Sequence, residues 1–165
     1  MPVINWMRAH VGHFAQIPPH EVDEAMQFAL LWSYFEAAAL RRNAKVAEID
    51  RWVGELEQRG VLRAVELEPT LQYFRTRYLD AHGDLNHQFN TLNFTTTQAP
   101  LVAEVLLRQR QLPAEMTNAV LRIIYRIRNN FIHGEKWADD LHDQYHNFHH
   151  ANDTLMRVMD WDAGR

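Results

Sequence analysis

Apolar residues recur at helical spacing along most of the chain. Val120, Ile124, Ile127 and Phe131 follow one another at intervals of four, three and four, which places them on one buried face of an amphipathic helix. Pro113 suits the start of that helix, and Gly134, a residue favoured just past a C-terminus, suits its end. A longer apolar pattern begins near Pro19 and runs to about Asn43, with Val22, Met26, Ala29, Leu30, Trp32 and Phe35 expected inward. Val46, Ile49, Trp52, Val53 and Leu56 mark a helix that ends at Gly60. Leu71, Phe74, Tyr78 and Leu79 mark another after Pro69, with His82-Gly83 as its stop. A helix over 101–111 follows Pro100. Leu141, Tyr145, Phe148, Leu155 and Met159 form the packing stripe of a last one, from about Asp139 to Asp160. Residues 3–14 read as a short, loosely packed helix or arm.

Between Asp84 and Pro100 neither period persists and Asn and Thr dominate, so this stretch reads as a long loop with one short helical turn. No strand-like alternation, hairpin signal, repeat or linker is present. The pattern predicts one all-α domain over residues 1–165, a bundle of about five to six helices.

Polar positions on the 113–134 helix are unusual. At about 100° per residue, Arg122, Arg126, Asn129 and His133 fall within a narrow arc, while Arg128 points elsewhere unless the helix is distorted. A cation-rich strip and a titratable imidazole thus meet near a helix end. A solvated arginine face, with a histidine that favours the helix dipole, accounts for this on spacing alone. Glu36 stands inside the apolar helix that starts at Pro19. It is read either as a second carboxylate near the site, as a partner of Arg41, or as a residue on the exposed side.

Composition narrows the classes. The chain has 165 residues, 47% of them hydrophobic, enough for one well-buried core. It contains no cysteine, which excludes disulfides and thiolate metal sites and suits a reducing, cytoplasmic setting. The N-terminus lacks a continuous apolar region of the kind a signal peptide carries, and the longest apolar stretch, Phe28–Leu40, is broken by Ser33 and Glu36. No membrane association is expected. The formal net charge is −4, so no global basic field attracts nucleic acid, but the charge is uneven. Arg108, Arg110, Arg122, Arg126, Arg128 and Lys136 precede an acidic last segment, and any RNA contact would be local. His142, His146 and His149 lie at i, i+4 and i+7 with Asp153 beyond. The three span about 10 Å along one helix, too far for one ion, so a solvated face is expected rather than a metal site. No phosphate-cradling glycine loop, nucleophile elbow or Cys-His pair occurs, and no cofactor is expected.

The stretch Arg128-Asn129-Asn130-Phe131-Ile132-His133 resembles the signature of HEPN domains, in which four to six residues separate an Arg, itself followed by a polar residue, from a His. Gly134 after the His is similar to several subfamilies, and Phe28-Ala-Leu-Leu-Trp-Ser-Tyr-Phe-Glu-Ala resembles the early helix of related proteins. Arg126, with six intervening residues, also meets the spacing.

The resemblance implies a HEPN-like helical bundle, commonly a two-fold dimer, with metal-independent endoribonuclease activity in a toxin–antitoxin or antiphage defence setting. It implies attack of the RNA 2′-hydroxyl on the adjacent phosphodiester, giving a 2′,3′-cyclic phosphate and a 5′-hydroxyl. Arg128 would stabilise phosphate charge, His133 would transfer a proton, and Asn129 would orient the His or bind phosphate. Arg122, Arg126 and Lys136 would contact RNA, with Glu36 and Asn130 supporting the site. One His per chain supplies a base or an acid but not both at once, which favours a site at a homodimer interface. The Tyr that follows the His by two residues in toxins neutralised by nucleotidylation is replaced by Glu135, which disfavours that control. Two other readings stand beside this one. They are a non-catalytic HEPN module that binds RNA or a protein partner, such as an antitoxin or defence protein, and a helical interaction domain with a coincidental motif.

Overall fold

A computed structural model describes residues 2–132 and 142–164. Within them the chain is all-helical. Eight α-helices follow in order: α1 (Val3–His10), α2 (Pro19–Ala38), α3 (Val46–Gln58), α4 (Glu68–Tyr78), α5 (His87–Asn90), α6 (Ala99–Leu106), α7 (Pro113–Ile132) and α8 (Tyr145–Asp162). Short 3-10 turns cover Gly12–Gln16, Ala64–Leu67 and His142–Gln144. The only β pairing among the described residues is an isolated bridge between Leu79 and Leu85. The count exceeds the expected five to six because the arm at the N-terminus is a true helix, α1, and the turn in the 84–100 loop closes as the four-residue α5. No described helix is long and apolar enough to cross a membrane.

Proline sets several boundaries. Pro19, Pro69, Pro100 and Pro113 all stand in the first turn of a helix, where the missing N–H would have had no partner. The ends are less regular than the sequence suggests. α2 stops at Ala38, short of Asn43, because Arg41 and Arg42 both take left-handed backbone, φ 52° and 59°. The Arg42 N–H donates to the carbonyl of Glu36, six residues back, at 3.0 Å, closing a wide turn. Left-handed backbone costs a Cβ-bearing residue about 1 kcal/mol or more, and here it falls on two consecutive arginines. α6 likewise ends at Leu106, with Arg108 left-handed at φ 61°.

α7 is the central helix. Besides the expected Val120, Ile124 and Ile127, it buries Ala119, Leu121, Arg122 and Ile123, so its middle is covered on every side. α3 and α6 flank it, and α2 packs against α8. Aromatic rings fill the space between α2, α7 and α8: Phe28 stacks on Phe148 at 5.1 Å between centroids, and Phe131 meets Phe148 at 5.0 Å.

The phase of α2 differs from the expectation. Its inward stripe is Val22, Ala25, Phe28, Trp32 and Phe35, whereas Met26, Ala29 and Leu30 face outward. This helix is apolar on nearly all sides, so periodicity could not tell its two faces apart. α8 and α7 cover the side with the larger aromatics.

The 84–100 loop is tied down at Asn86. Its Oδ1 accepts from the N–H groups of Gln88 and Phe89 and caps α5, while its Nδ2 donates to the carbonyls of Arg77 and Leu79. Asn86→Ala is expected to lower stability by about 1–2 kcal/mol, read as a reduced urea midpoint at unchanged slope.

Candidate functional site

Side chains of α2 and α7 meet at three points. Phe28 meets Phe131 at 6.4 Å, Trp32 meets Tyr125 at 6.2 Å, and toward the C-terminus of α2 Glu36 meets Arg128. The candidate site lies at this last point of the seam. Arg128 Nη2 lies 3.4 Å from Glu36 Oε2, Nη1 donates to Asn129 Oδ1 at 3.0 Å, and the guanidinium carbon sits 5.8 Å from the centre of the Trp32 ring. Trp32 Nε1 donates to the same Glu36 oxygen at 3.0 Å.

One carboxylate oxygen therefore collects an indole N–H and a guanidinium, and the indole face adds a cation–π contact of about 1 kcal/mol. Polar contacts and one ring restrict the position of a planar, permanently charged group. The side chains of Arg128 and Glu36 remain 23% and 24% exposed, so the pair is accessible at its rim. Arg128 Nε is buried and has no acceptor among the described residues.

The backbone of α7 is regular through Ile132, so Arg128 points away from the Arg122 and Arg126 arc, as about 100° per residue requires. That orientation is what brings it to Glu36. Glu36 is thus neither an isolated exposed carboxylate nor a partner of Arg41, which pairs with Glu55 instead. Arg128, Asn129 and Glu36 converge; Arg122, Arg126 and Asn130 do not join them. Arg122 is largely buried and pairs with Asp50 of α3 at 2.7 Å. Arg126 Nε donates to the Leu92 carbonyl at 2.5 Å, and Asn130 Nδ2 donates to the Thr91 carbonyl at 3.0 Å. The strip does not form a solvated cationic face. A helix covered on all sides leaves its cations to find protein acceptors, because an unpaired buried charge is costly. His133 and Lys136 lie outside the described residues.

Three participants escape sequence reasoning. Trp32 reads there only as core, although its spacing of four from Glu36 puts the two on one helix face. Ser33 and Arg42 line, with Glu36 and Ala37, an open cavity of about 260 Å³. No pattern signals that Arg42 turns back toward Glu36, because the left-handed turn responsible for it has no glycine.

On another face α2 presents bare apolar surface. Met26, Leu30 and Tyr34, at i, i+4 and i+8, are 55%, 76% and 63% exposed. Next to Met26 a groove of about 540 Å³ runs between α1 and α2, lined by Val3, Ile4, Met7, Ala29 and Phe131. The histidines of α8 take separate partners. His149 Nδ1 lies 3.6 Å from Glu24 Oε1, and His150 stacks on Tyr73 at 4.2 Å. Burial, followed by the neighbouring His149, pushes the pKa of His150 down. Among the described residues no three His, Asp or Glu converge as metal ligands.

No protein-family model, curated protein or solved structure matches this chain, so its function is read from its own residues.

Proposed function

We propose that this chain is a metal-independent endoribonuclease of HEPN type, acting as a homodimer in a toxin–antitoxin or defence setting. The observation that carries the reading is the restrained, half-buried guanidinium of Arg128. It heads the Arg-x4-His sequence and is braced by Glu36, Asn129 and Trp32 with part of its donor edge open to solvent. Such a group is pre-organised to stabilise charge on a phosphodiester, since little of its freedom remains to be lost when the phosphate arrives. The 2′-hydroxyl oxygen forms a bond to phosphorus as the bond to O5′ breaks. One imidazole takes the 2′-proton and a second delivers a proton to O5′, leaving the cyclic phosphate and a 5′-hydroxyl. His133 of each protomer supplies one of these two groups.

The exposed stripe of Met26, Leu30 and Tyr34 supports the dimer. At about 100° per residue Glu36 lies roughly 160° round α2 from Tyr34, next to the buried Trp32, so a second chain on the stripe would cover the apolar face and not Glu36 itself. Leu30→Asp is expected to convert a dimer to a monomer in light scattering and to remove activity while the far-UV circular dichroism of the helices persists.

The deciding experiment is cleavage of a mixed RNA pool in EDTA by the wild type and His133→Ala, with analysis of product ends. Cyclic phosphate ends that vanish in the variant support the nuclease. A folded, dimeric wild type that leaves RNA intact points to the second reading, a non-catalytic module that binds RNA or a protein partner. The inward commitment of Arg122 and Arg126 and the bare apolar face of α2 favour that alternative.

A further inference from the structure

Arg42 is the one described arginine whose side chain has neither hydrogen bond nor ion pair. Its backbone is left-handed, a conformation that glycine or asparagine adopts at less cost, and the same holds for its neighbour Arg41. Arg41 has a partner in Glu55 at 3.6 Å, and a cation just past α2 interacts favourably with the helix dipole. Neither accounts for Arg42. Its N–H is fixed to the Glu36 carbonyl, and its side chain lines the cavity of about 260 Å³ together with Ser33, Glu36 and Ala37. On its other side Glu36 holds Arg128. Two arginines therefore flank one carboxylate whose negative charge is already matched by Arg128 and by the Trp32 N–H. The unmatched cation in this cavity is Arg42.

We infer that Arg42 and Ser33 form a second phosphate subsite, which binds the backbone phosphate of single-stranded RNA next to the one held by Arg128. The guanidinium supplies a bidentate charged donor pair and the Ser33 hydroxyl a neutral donor, the donor set used widely for phosphate oxygens. The left-handed backbone puts a charged side chain on the lining of this cavity, at a position where a glycine would give a relaxed turn with no charge. This inference rests on the ribonuclease reading above and adds to it how a strand is held beyond the reacting phosphate.

The test is binding of a 2′-O-methyl RNA 20-mer, which lacks the attacking hydroxyl, measured by fluorescence anisotropy over a salt series with full-length wild type, Arg42→Gly and Arg42→Lys. Loss of one phosphate contact should flatten the dependence of log affinity on log salt by about 0.7, as single strands give per phosphate, and weaken binding roughly 5–10-fold at low salt. Arg42→Gly should show both changes while its thermal midpoint stays level or rises, because glycine relieves the strained turn. Arg42→Lys should keep the salt slope and recover part of the affinity. A merely structural role would lower the midpoint and leave the slope alone. Arg42→Gly with wild-type affinity and slope, in a protein that binds the 20-mer, would overturn the subsite and leave the ribonuclease reading standing. A wild type that neither binds the 20-mer nor cleaves RNA removes both.

Discussion

Arg128→Ala is expected to reduce RNA cleavage by about 10²–10³-fold, the usual loss when one pre-organised donor to a developing oxyanion is removed. Stability should change far less. The Glu36 carboxylate would keep its bond from Trp32 and its rim of solvent, so the lost pair is worth about 1–2 kcal/mol. Lysine at this position separates charge from geometry. It restores one positive charge but neither the fork that spans Glu36 and Asn129 nor the flat face over Trp32, so it should recover only a small part of the rate. Single-turnover rates on a defined RNA, alongside thermal melts, check both statements. Wild-type rates in Arg128→Ala would remove this residue from the chemistry.

Phe148→Ala is expected to be the most damaging change to the fold among the residues around the site, costing about 3–5 kcal/mol. Its ring is fully buried, stacks on Phe28 at 5.1 Å and meets Phe131 edge-on at 5.0 Å, so truncation opens a void where α2, α7 and α8 meet. For a chain of this length the thermal midpoint should fall by roughly 10 °C. Phe148→Leu keeps more of the volume and should lose less than half as much. Calorimetry of the two variants gives the comparison, and equal midpoints for wild type and Phe148→Ala would show that the ring is not part of the cooperative core.

Much of the architecture is legible in the sequence because it is local. Four prolines mark four helix starts, and the 4-3-4 rhythm of Val120, Ile124, Ile127 and Phe131 identifies a face of α7. The phase of α2 is not legible. Met26 and Leu30 are as apolar as Phe28 and Trp32, and only the arrival of α7 and α8 from distant parts of the chain decides which set is covered. The site divides in the same way. Arg128 and Asn129 are adjacent, and the motif names them. The pairing of Arg128 with Glu36, 92 positions away, follows from how α2 and α7 meet in the fold, as the retirement of Arg122 and Arg126 follows from Asp50 and from the Leu92 carbonyl. The left-handed pair Arg41 and Arg42 has no local signal at all, since neither residue type favours that backbone.

The indole of Trp32 lies under the Arg128 guanidinium and donates its N–H to Glu36. An excited indole shifts electron density from its pyrrole ring toward its benzene ring, so its emission follows the charges set around it. Here those charges are the carboxylate at its N–H and the cation on its face. An anion that draws Arg128 away from Glu36 rearranges both at once, and the emission of Trp32 changes with it. The chain thus carries an optical gauge of its own candidate site, readable without a label as the part of the emission change that Trp32→Phe removes, since four other tryptophans also emit.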